Sequence, residues 1–311
     1  MDKIDNQIII DVLNANQRLN KFLMKYLNKA DKSFIYKMLR KKRIKLNGGK
    51  ADGSELLCEG DVITFYISPE TLKELYAPNN AVSMYFGKSL PTPIIIYENE
   101  DILIANKPSG LLTHAEKKGD DTLIDRVSYY LHKKGEYDPF KQGSFAPVCA
   151  NRLDRNTSGI VACAKNLPAA QLLAETFRTR NAFKYYIAVV YGKIGVKVVV
   201  HNYLYKDFET NKVEVQNHIG KEALTEIEPM KAGDDFTVVK IHLHTGRTHQ
   251  IRAHLQSIGH PIIGDPKYGN KKINDIYKKT HNIRNQMLHA YELTVMGQTF
   301  NAAPPNEFNL F

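Results

Sequence analysis

The sequence predicts an α+β protein in which a mixed, mainly antiparallel sheet with flanking helices forms a large domain and a small basic α/β domain precedes it. Short alternating or apolar runs recur along the chain, and tight-turn sequences join several of them as hairpins. Runs with the apolar spacing of helices lie between these predicted strands. The 311 residues, of which 43% are hydrophobic, suffice for one large and one small domain. We therefore expect a small domain at residues 1–67, a linker at 68–90 and the large domain at 91–311.

The small domain is predicted to fold as two short helices followed by a hairpin. Leu19 and Phe22 begin an apolar run at helical spacing, a second helix can start at Ser33, and Asn47-Gly48 is a hairpin turn sequence. Cations heavily outnumber acids from the second helix onward, which favours contact with a nucleic-acid backbone over a merely solvated helix face. The residues assigned to that contact are Lys37, Arg40, Lys41, Arg43 and Lys45.

The linker and the start of the large domain follow from a change in periodicity. Residues 68–90 carry prolines and asparagines without a repeating apolar pattern, which is typical of a linker. Two apolar runs, residues 94–97 and 102–105, then predict a hairpin that ends in a turn at residues 106–110. Residues 120–132 have the spacing of an amphipathic helix.

A carboxylate, Asp154, lies between Arg152 and Arg155 in a turn-prone segment. Residues 160–164 read as a short buried strand, so Asp154 is expected at a loop-to-strand junction. Loops held by strands often display reactive groups, and the flanking guanidinium groups favour the ionised form of Asp154. The alternative is an ordinary surface carboxylate paired with an arginine. We expect the chemistry of this protein at Asp154.

A later segment, residues 183–192, is predicted to be a strand with two distinct faces. Strand alternation places Lys184 and Tyr186 on one face and Tyr185 on the other. A tyrosine in a strand most often serves packing, so the pattern by itself assigns Tyr186 no function.

Residues 236–244 alternate as a strand and lead into a helix that Thr248 can cap and that runs to Ser257. Four histidines in this region raise the question of a metal site. His249 and His254 are separated by about 140° around a helix and cannot share a face, and no HExxH pattern is present. The sequence therefore predicts no metal.

Composition and charge limit the partners and cofactors that we expect. The formal net charge of +10 and the pI near 9.2 favour a polyanionic partner, with nucleic acid foremost. The three cysteines, Cys58, Cys149 and Cys163, form no CxxC pair, which is typical of a reduced, cytoplasmic compartment. No leader and no apolar run of membrane-spanning length are recognisable, so we expect no membrane association. GxGxxG, GxxxxGKS/T and zinc-ligand spacings are missing, so we expect no cofactor.

The segment 151–159 closely resembles the (His/Asn)-Arg-Leu-Asp-x-x-Thr-Ser-Gly signature of the ribosomal large-subunit pseudouridine synthases, in which the Asp is catalytic. Asn151 stands where many members carry His. Further segments resemble family motifs in the family's order: Asn-Lys-Pro-x-Gly at residues 106–110, Lys-x-Tyr-x-Ala at 184–188 and Thr-Gly-Arg-Thr-His-Gln-Ile-Arg-x-His at 245–254. The resemblance extends over residues 91–300, and several ordered motifs are far more specific than one.

The resemblance implies a role for each candidate residue of the large domain. Asp154 matches the catalytic carboxylate, and Arg252 matches the arginine that pairs with it. Tyr186 matches the aromatic position beside a base that has been flipped out of its stack. The arginines assigned to RNA are Arg152, which would fill the place of the uridine, Arg155, and Arg247 as a phosphate ligand.

The small domain also has a family resemblance. Its order of landmarks, from Ser33 through the cations to Gly60-Asp61, resembles the small RNA-binding domain first described in a small-subunit ribosomal protein. Such a domain often precedes these synthases. A glycine is common before its first strand, and Lys42 takes that place here.

These resemblances imply an RNA pseudouridine synthase that acts as a monomer on structured RNA, with large-subunit ribosomal RNA as the expected substrate. Isomerising uridine consumes nothing, in keeping with the lack of cofactor motifs. Asp154 can attack the anomeric carbon or abstract the neighbouring proton to give a glycal, and the sequence favours neither route. The alternative functions are a non-catalytic RNA-binding or ribosome-assembly factor and a base-excising glycosylase, which would release free uracil.

Overall fold

The chain forms two compact units in the computed structural model. The described residues are 6–12, 14–76, 89–117, 119–139, 145–207 and 212–311. The first unit comprises Met1–Thr92, Asp125–Pro147 and Lys165–Ala169, and the second comprises Pro93–Ile124, Val148–Ala164 and Ala170–Phe311. The chain thus passes between units close to the expected boundary at residue 91, but residues 125–147 and 165–169 group with the first unit instead of the large domain.

The N-terminal part of the first unit combines helices with a small antiparallel sheet. The helices are α1 (Leu19–Tyr26), α2 (Lys32–Arg40) and α3 (Pro69–Leu75), and the strands are β1 (Gln7–Ile9), β2 (Ile44–Leu46), β3 (Gly49–Lys50) and β4 (Val62–Phe65). The strands pair in the order β1-β4-β2-β3. Asn47 and Gly48 join β2 to β3 with φ values of 49° and 73°, as the predicted hairpin turn requires.

The core of this part forms from the apolar faces of the helices. α1 buries Leu19, Phe22, Leu23 and Tyr26, which is the spacing of one helix face. The Tyr26 ring stacks on the rings of Phe22 and Phe65, with centroid distances of 5.7 and 5.6 Å. Burying a large apolar side chain contributes roughly 1.5–3 kcal/mol. Side-chain packing therefore holds α1 against the small sheet.

The prediction of a linker from residue 68 is wrong over its first part. Ser68 caps α3 by accepting the backbone N–H of Thr71 at 3.3 Å, and Pro69 occupies the first turn of the helix. Leu72 is fully buried in the core of the first unit. So short a helix leaves little periodic signal in the sequence, and its proline reads as a linker residue. Residues 77–88 of the predicted linker lie outside the described residues.

The other elements lie mainly in the second unit. The strands are β5 (Ile94–Glu98), β6 (Ile102–Lys107), β7 (Val148–Cys149), β8 (Ser158–Ala164), β9 (Phe183–Tyr191), β10 (Val198–Lys206), β11 (Val213–Gln216), β12 (Lys221–Ala232), β13 (Phe236–Leu243), β14 (Leu288–Val295) and β15 (Gln298–Asn301). The helices are α4 (Leu123–Lys133), α5 (Leu167–Arg178), α6 (Gln250–Ser257) and α7 (Lys271–His281), and a 3-10 helix spans Asn306–Leu310. None of the described helices has both the length and the apolar character needed to cross a membrane.

Within the described residues, these eleven strands form one sheet. Its order is β11-β10-β12-β13-β9-β14-β8-β6-β5, with β15 added beside β14 and β7 beside β8. The pairs are antiparallel except for β14 with β8. This confirms the predicted α+β fold with a mixed, mainly antiparallel sheet.

The parallel pair brings the Asp154 segment against β14. Ser158 and Gly159 at the start of β8 lie opposite His289 and Ala290. Gly159 has a φ of 117°, and a Cβ atom on it would lie 2.2 Å from the carbonyl oxygen of Ala290. A side chain therefore cannot be accommodated at this position without moving the backbone. The glycine lets the two strands approach closely beside the loop that carries Asp154.

Candidate active site

A cleft of about 1070 Å³ in the second unit contains the residues that the sequence singled out in the large domain. Its lining comes from the loop before β8, from β9, and from the turn and helix that follow β13. The predicted site residues in this lining are Arg152, Asp154, Arg155, Tyr186, Arg247 and Arg252. The sheet topology therefore gathers candidates that lie far apart in the sequence.

The buried ammonium of Lys107 holds the Asp154 loop in shape. Its Nζ donates to the carbonyl oxygens of Pro108, Leu111 and Arg155 at 3.0, 2.7 and 3.0 Å. An ammonium group has three protons to donate, so these carbonyls satisfy it without a carboxylate. Burial lowers the pKa of Lys107 to about 7, and the charge of Asp154 opposes this shift. Sequence reasoning predicted only a turn here, because no local pattern marks a lysine as buried.

The second half of the motif is anchored to β14 and to the segment before it. Gln286 donates from Nε2 to the hydroxyl of Thr157 at 2.7 Å. Ser158 Oγ lies 2.8 Å from His289 Nδ1, and His289 Nε2 lies 3.1 Å from the carbonyl oxygen of Ala302. A carbonyl can only accept, so Nε2 carries the imidazole proton and the serine hydroxyl donates to Nδ1. These bonds fix the start of β8 next to the candidate carboxylate.

Arg252 joins the carboxylates of Asp154 and Asp265. Its Nη1 donates to Asp154 Oδ2 at 2.7 Å, while Nε and Nη2 donate to Asp265 at 2.7 and 2.9 Å. The Asp265 side chain is fully buried, whereas the Asp154 side chain is 29% exposed. Two parallel hydrogen bonds to Asp265 fix the guanidinium plane and leave one end of it for Asp154. The three groups together carry one negative charge, and Asp154 is the carboxylate that a ligand in the cleft can reach.

Asp265 stays ionised despite its burial. Burial raises the pKa of this carboxyl, but the hydrogen bonds and charge of Arg252 outweigh burial and hold the pKa below its ordinary value. The backbone N–H groups of Lys267 and Tyr268 donate to Oδ1 at 2.8 and 2.9 Å and act in the same direction. The Tyr268 ring lies 4.9 Å from the Arg252 guanidinium. No role was predicted for Asp265, because an Asp followed by a proline reads locally as a turn residue.

Tyr186 presents a neutral phenol to the cleft. Its residue is 7% exposed, and its side chain lies on the face of β9 opposite Tyr185, as the alternation predicted. Burial raises the pKa of the Tyr186 phenol, and the negative charge of Asp154 raises it further. The phenol therefore keeps its proton at neutral pH. It can donate a hydrogen bond or relay a proton, and its ring offers an apolar surface to a base.

His249 also lines the cleft, although it was not predicted as a site residue. Its Nε2 lies 3.9 Å from Asp154 Oδ2, which is too long for a hydrogen bond. Its Nδ1 lies 3.0 Å from the hydroxyl of Tyr268, whose oxygen accepts the N–H of Val213. The hydroxyl proton is available to Nδ1, and in that arrangement the imidazole N–H is at Nε2, the nitrogen nearer to Asp154. His249 has a left-handed φ of 52° and is itself the N-cap of α6, so the prediction that Thr248 caps this helix is wrong.

The two arginines that flank Asp154 in the sequence are both exposed. Arg155 lies 3.7 Å from Glu116, and both side chains are largely exposed. Arg152 is exposed at the edge of the cleft. Among the described residues, the cation that hydrogen-bonds to Asp154 is Arg252 and neither flanking arginine. Neighbours in sequence therefore do not supply the charge partner of this carboxylate.

His242 and Glu226 lie opposite each other on β13 and β12, on the sheet face away from Tyr186, and His244 follows β13 beside them. The donor atoms of the two histidines and the carboxylate lie within 4.8 Å of one another. His249 and His254 are kept apart by their positions around a helix, but this geometry does not apply to His242 and His244. Glu226 is already paired, however, with Lys197 at 3.1 Å and with His244 at 3.3 Å. The protein therefore supplies this carboxylate with a cationic partner of its own, Lys197.

The cations predicted to bind nucleic acid in the first unit remain accessible. Four are exposed and the last lies half-buried: Lys37, Arg40, Lys41, Arg43 and Lys45. The ammonium of Lys45 lies 5.0 Å from the centroid of the Tyr66 ring. Lys42, which stands where related domains favour glycine, has a left-handed φ of 56° just after α2. That conformation gives the physical reason for a glycine at this position.

A family model agrees with the motifs in this cleft. The model described as RNA pseudouridylate synthase matches residues 101–257, about half of the chain. The matched range includes Asp154, Tyr186 and Arg252. It lies entirely after the first 92 residues, so it does not describe the N-terminal basic part.

Curated relatives and a solved structure extend the match. The chain is 33% identical over 282 residues to the ribosomal large subunit pseudouridine synthase C of Vibrio vulnificus, covering 90% of this chain and 85% of the relative. It is 33% identical over 204 residues to the ribosomal large subunit pseudouridine synthase D of Borreliella burgdorferi, covering 65% and 60%. The structure of human RNA pseudouridylate synthase domain containing 1 superposes with a TM-score of 0.56 and 24% identity, covering 71% of this chain and 86% of that one. The last match is a likeness of fold.

Proposed function

The chain belongs to the RNA pseudouridylate synthase family, and we propose that it converts specific uridines of large-subunit ribosomal RNA to pseudouridine with Asp154 as the catalytic carboxylate. Enzymes of this family are isomerases, so membership establishes the class of reaction and RNA as the class of substrate. The two bacterial relatives are both ribosomal large subunit synthases by name, which supports the ribosomal substrate.

The ion pair between Asp154 and Arg252 is the observation that carries this proposal. The carboxylate and guanidinium are 2.7 Å apart, and Asp265 holds the guanidinium from its other side. A carboxylate that is partly exposed in a cleft and fixed by a buried arginine is both accessible to a ribose and oriented to react with it. A surface carboxylate paired with an exposed arginine would have no such support.

The reaction needs only a carboxylate and a way to handle protons. The bond between C1′ and N1 of uridine breaks, the uracil turns, and C1′ joins to C5. The proton lost from C5 is balanced by the proton gained at N1, so no atom is added or removed overall. We propose that Asp154 either attacks C1′ or abstracts the proton at C2′ to give a glycal, since both routes require the ionised carboxylate.

Other cleft residues receive supporting roles in this proposal. Tyr186 stacks on the flipped base, and its neutral phenol can relay a proton at C5 or N1. Arg152, exposed at the edge of the cleft, fills the place that the uridine leaves in the RNA stack. Arg252 is a positioning residue for Asp154, since its guanidinium donates hydrogen bonds to that carboxylate and to Asp265.

The N-terminal basic part is proposed to bind RNA without taking part in chemistry. Its exposed cations surround the end of α2 and the start of β2, where a phosphate backbone can follow them. Phosphate contacts of this kind supply affinity and register. The five assigned cations are Lys37, Arg40, Lys41, Arg43 and Lys45.

We propose that the protein acts in the cytoplasm as a monomer. Large-subunit ribosomal RNA, the proposed substrate, is consistent with a cytoplasmic enzyme. Every site residue predicted in the large domain lines one cleft within the second unit, so a second copy is not needed to complete it.

Mapping pseudouridine in cells that lack the protein tests the proposal. Carbodiimide chemistry marks pseudouridine in isolated RNA, and we expect specific marks in large-subunit ribosomal RNA to disappear. Purified protein should restore the same marks on an unmodified large-subunit transcript without added cofactor. Release of free uracil from the transcript would indicate a glycosylase. Unchanged marks together with incomplete large subunits would indicate an assembly factor.

A further inference from the structure

Lys184 places an ammonium at the cleft without an anionic partner. It lies on β9, on the same face as Tyr186, and it is half-buried. No described residue accepts a hydrogen bond from its Nζ or forms an ion pair with it. Burial, together with the charges of Arg180 and Arg247, lowers the pKa of Lys184 to about 8. The protein therefore holds three cations near one another with little to neutralise the lysine.

Arg180 occupies a position that favours glycine. The N–H of Asn181 donates to the carbonyl of Thr176 at 3.0 Å, and the N–H of Arg180 donates to the carbonyl of Phe177 at 3.4 Å. These bonds form a Schellman motif at the end of α5, and its left-handed residue is usually glycine. Arg180 takes that place with a φ of 61°. A strained arginine at the wall of a cleft is better explained by what its side chain binds than by helix termination.

Arg247 reaches the same place from the loop between β13 and α6. Its Nε donates to the backbone carbonyl of Glu222 at 3.1 Å, which fixes the guanidinium at the cleft. The adjacent Gly246 is so close to Lys184 that a Cβ on it would lie 3.9 Å from Nζ. The exposed carboxylate of Glu222 lies 4.0 Å from Arg180 and 2.9 Å from His201. Glu222 is therefore the carboxylate that an incoming anion would have to displace.

We propose that Arg180, Lys184 and Arg247 form one binding site for a backbone phosphate of the RNA, next to the nucleotide that enters the cleft. The ligand is an RNA phosphate, and in this respect the inference rests on the proposed function. Two guanidinium groups and one ammonium supply several charge-assisted donors to one phosphate group, and the phosphate removes the repulsion among them.

The position of these cations in the fold sets which phosphate they bind. Lys184 precedes Tyr186 by one strand repeat on the same face, and Arg247 belongs to the segment that also carries His249 and Arg252. The site is thus built on the same strand and loop as the groups around Asp154. The phosphate it holds must flank the flipped uridine, so the site fixes that nucleotide in the register needed at Asp154.

The salt dependence of RNA binding tests whether these cations meet one phosphate. The ligand is an unmodified large-subunit ribosomal RNA transcript, and affinity is measured over a range of KCl concentrations with the full chain. Lys184→Met should weaken binding roughly tenfold, and it should lower the log–log salt slope by about 0.7–0.9. Lys184→Arg should restore most of the affinity. Lys193→Met, which removes an exposed lysine outside the cleft, should change neither quantity.

Combining the changes distinguishes one phosphate from several. A triple variant combines Lys184→Met, Arg180→Gly and Arg247→Met. Its log–log salt slope should fall by no more than one phosphate contact contributes, roughly 0.9. A loss of about 2 or more would show separate phosphates and overturn the proposal, as would an unchanged slope in Lys184→Met. Arg180→Gly alone should weaken RNA binding while its thermal midpoint stays equal or rises, because glycine suits the left-handed position. Glu222→Gln should strengthen RNA binding.

Pseudouridine formation on the same transcript separates this inference from the proposed function. If the wild-type protein forms pseudouridine while the triple variant loses the salt slope of several phosphate contacts, only the inference of a single phosphate site is wrong. If the slopes behave as expected while no pseudouridine forms, the phosphate site stands and the proposed function is wrong.

Discussion

The guanidinium of Arg252 lies 2.7 Å from the carboxylate of Asp154, although 98 positions separate the two residues in the chain. Asp265 orients that guanidinium through two further hydrogen bonds and is fully buried. Arg252 therefore fixes the carboxylate of Asp154, and Asp265 in turn fixes Arg252. Each of the three residues has a distinct consequence when it is changed.

Asp154→Asn should abolish pseudouridine formation. The amide keeps the shape of the side chain but cannot attack the sugar or abstract its proton, so the rate should fall by more than about a thousandfold. Binding of the large-subunit transcript should stay within a few-fold of wild type. Asp234→Asn, at an exposed site outside the cleft, should be as active as wild type. Turnover retained by Asp154→Asn would remove Asp154 from its assigned role.

Arg252→Ala should lower the rate by roughly a hundredfold. Without the guanidinium, the carboxylate of Asp154 loses the hydrogen bond that fixes its orientation in the cleft. The rate at saturating RNA measures this, with the exposed Arg284→Ala as the control. An unchanged rate in a folded variant would point instead to Arg247 as the partner of Asp154.

Asp265→Asn should affect both stability and rate. It breaks a buried, doubly hydrogen-bonded ion pair, so unfolding should become easier by about 3–5 kcal/mol. The pKa of Asp265 is lowered in the folded chain, so its stabilising contribution is present above the unfolded value of about 3.9 and is lost as pH falls. Urea unfolding should therefore show a weaker loss of stability below about pH 4 in the variant. In the variant, kcat should also fall by a larger factor than KM changes, because Arg252 no longer directs one nitrogen at Asp154.

Because of His254, the free energy of unfolding should begin to fall at a higher pH than the carboxylates of the protein would cause. This histidine is fully buried in α6, and burial lowers its pKa from 6.5 to about 4. Between these values the unfolded chain binds a proton that the folded chain does not, so stability falls as pH drops from 6.5 toward 4. The loss should approach about 3 kcal/mol. His254→Leu should flatten the unfolding free energy over this range, while the exposed His218→Leu should leave it unchanged.

The N-terminal cations should contribute affinity and not chemistry. Replacing Arg40, Lys41 and Arg43 with glutamine should reduce the salt slope of binding to the large-subunit transcript by about 2–3, because each lost phosphate contact removes roughly 0.7–0.9. The rate at saturating RNA should change by less than about twofold, since phosphate contacts position the ligand. Salt slopes equal to those of wild type would show that these cations only face solvent.

The sequence alone determined the fold class and most of the residues that belong to the candidate active site. Alternation and helical spacing are local properties, so they identified β9, β13 and α1 without knowledge of the fold. Ordered motifs identified Asp154, Tyr186 and Arg252, which the sheet then gathers into one cleft. Local signals failed where an element is short: α3 is a helix in a segment predicted as linker, because it buries few residues against a core built from distant parts of the chain.

Only the tertiary structure decided which groups meet and in what state. The flanking Arg155 turns to Glu116, and the cation at Asp154 comes from α6, because strand order and not chain proximity sets side-chain neighbours. Burial likewise depends on the whole fold. It makes Lys107 a bridge between carbonyl groups, and no carboxylate of the described residues pairs with Lys184. A charge that is solvated in an isolated peptide acquires its pKa and its partner only when distant segments exclude water around it.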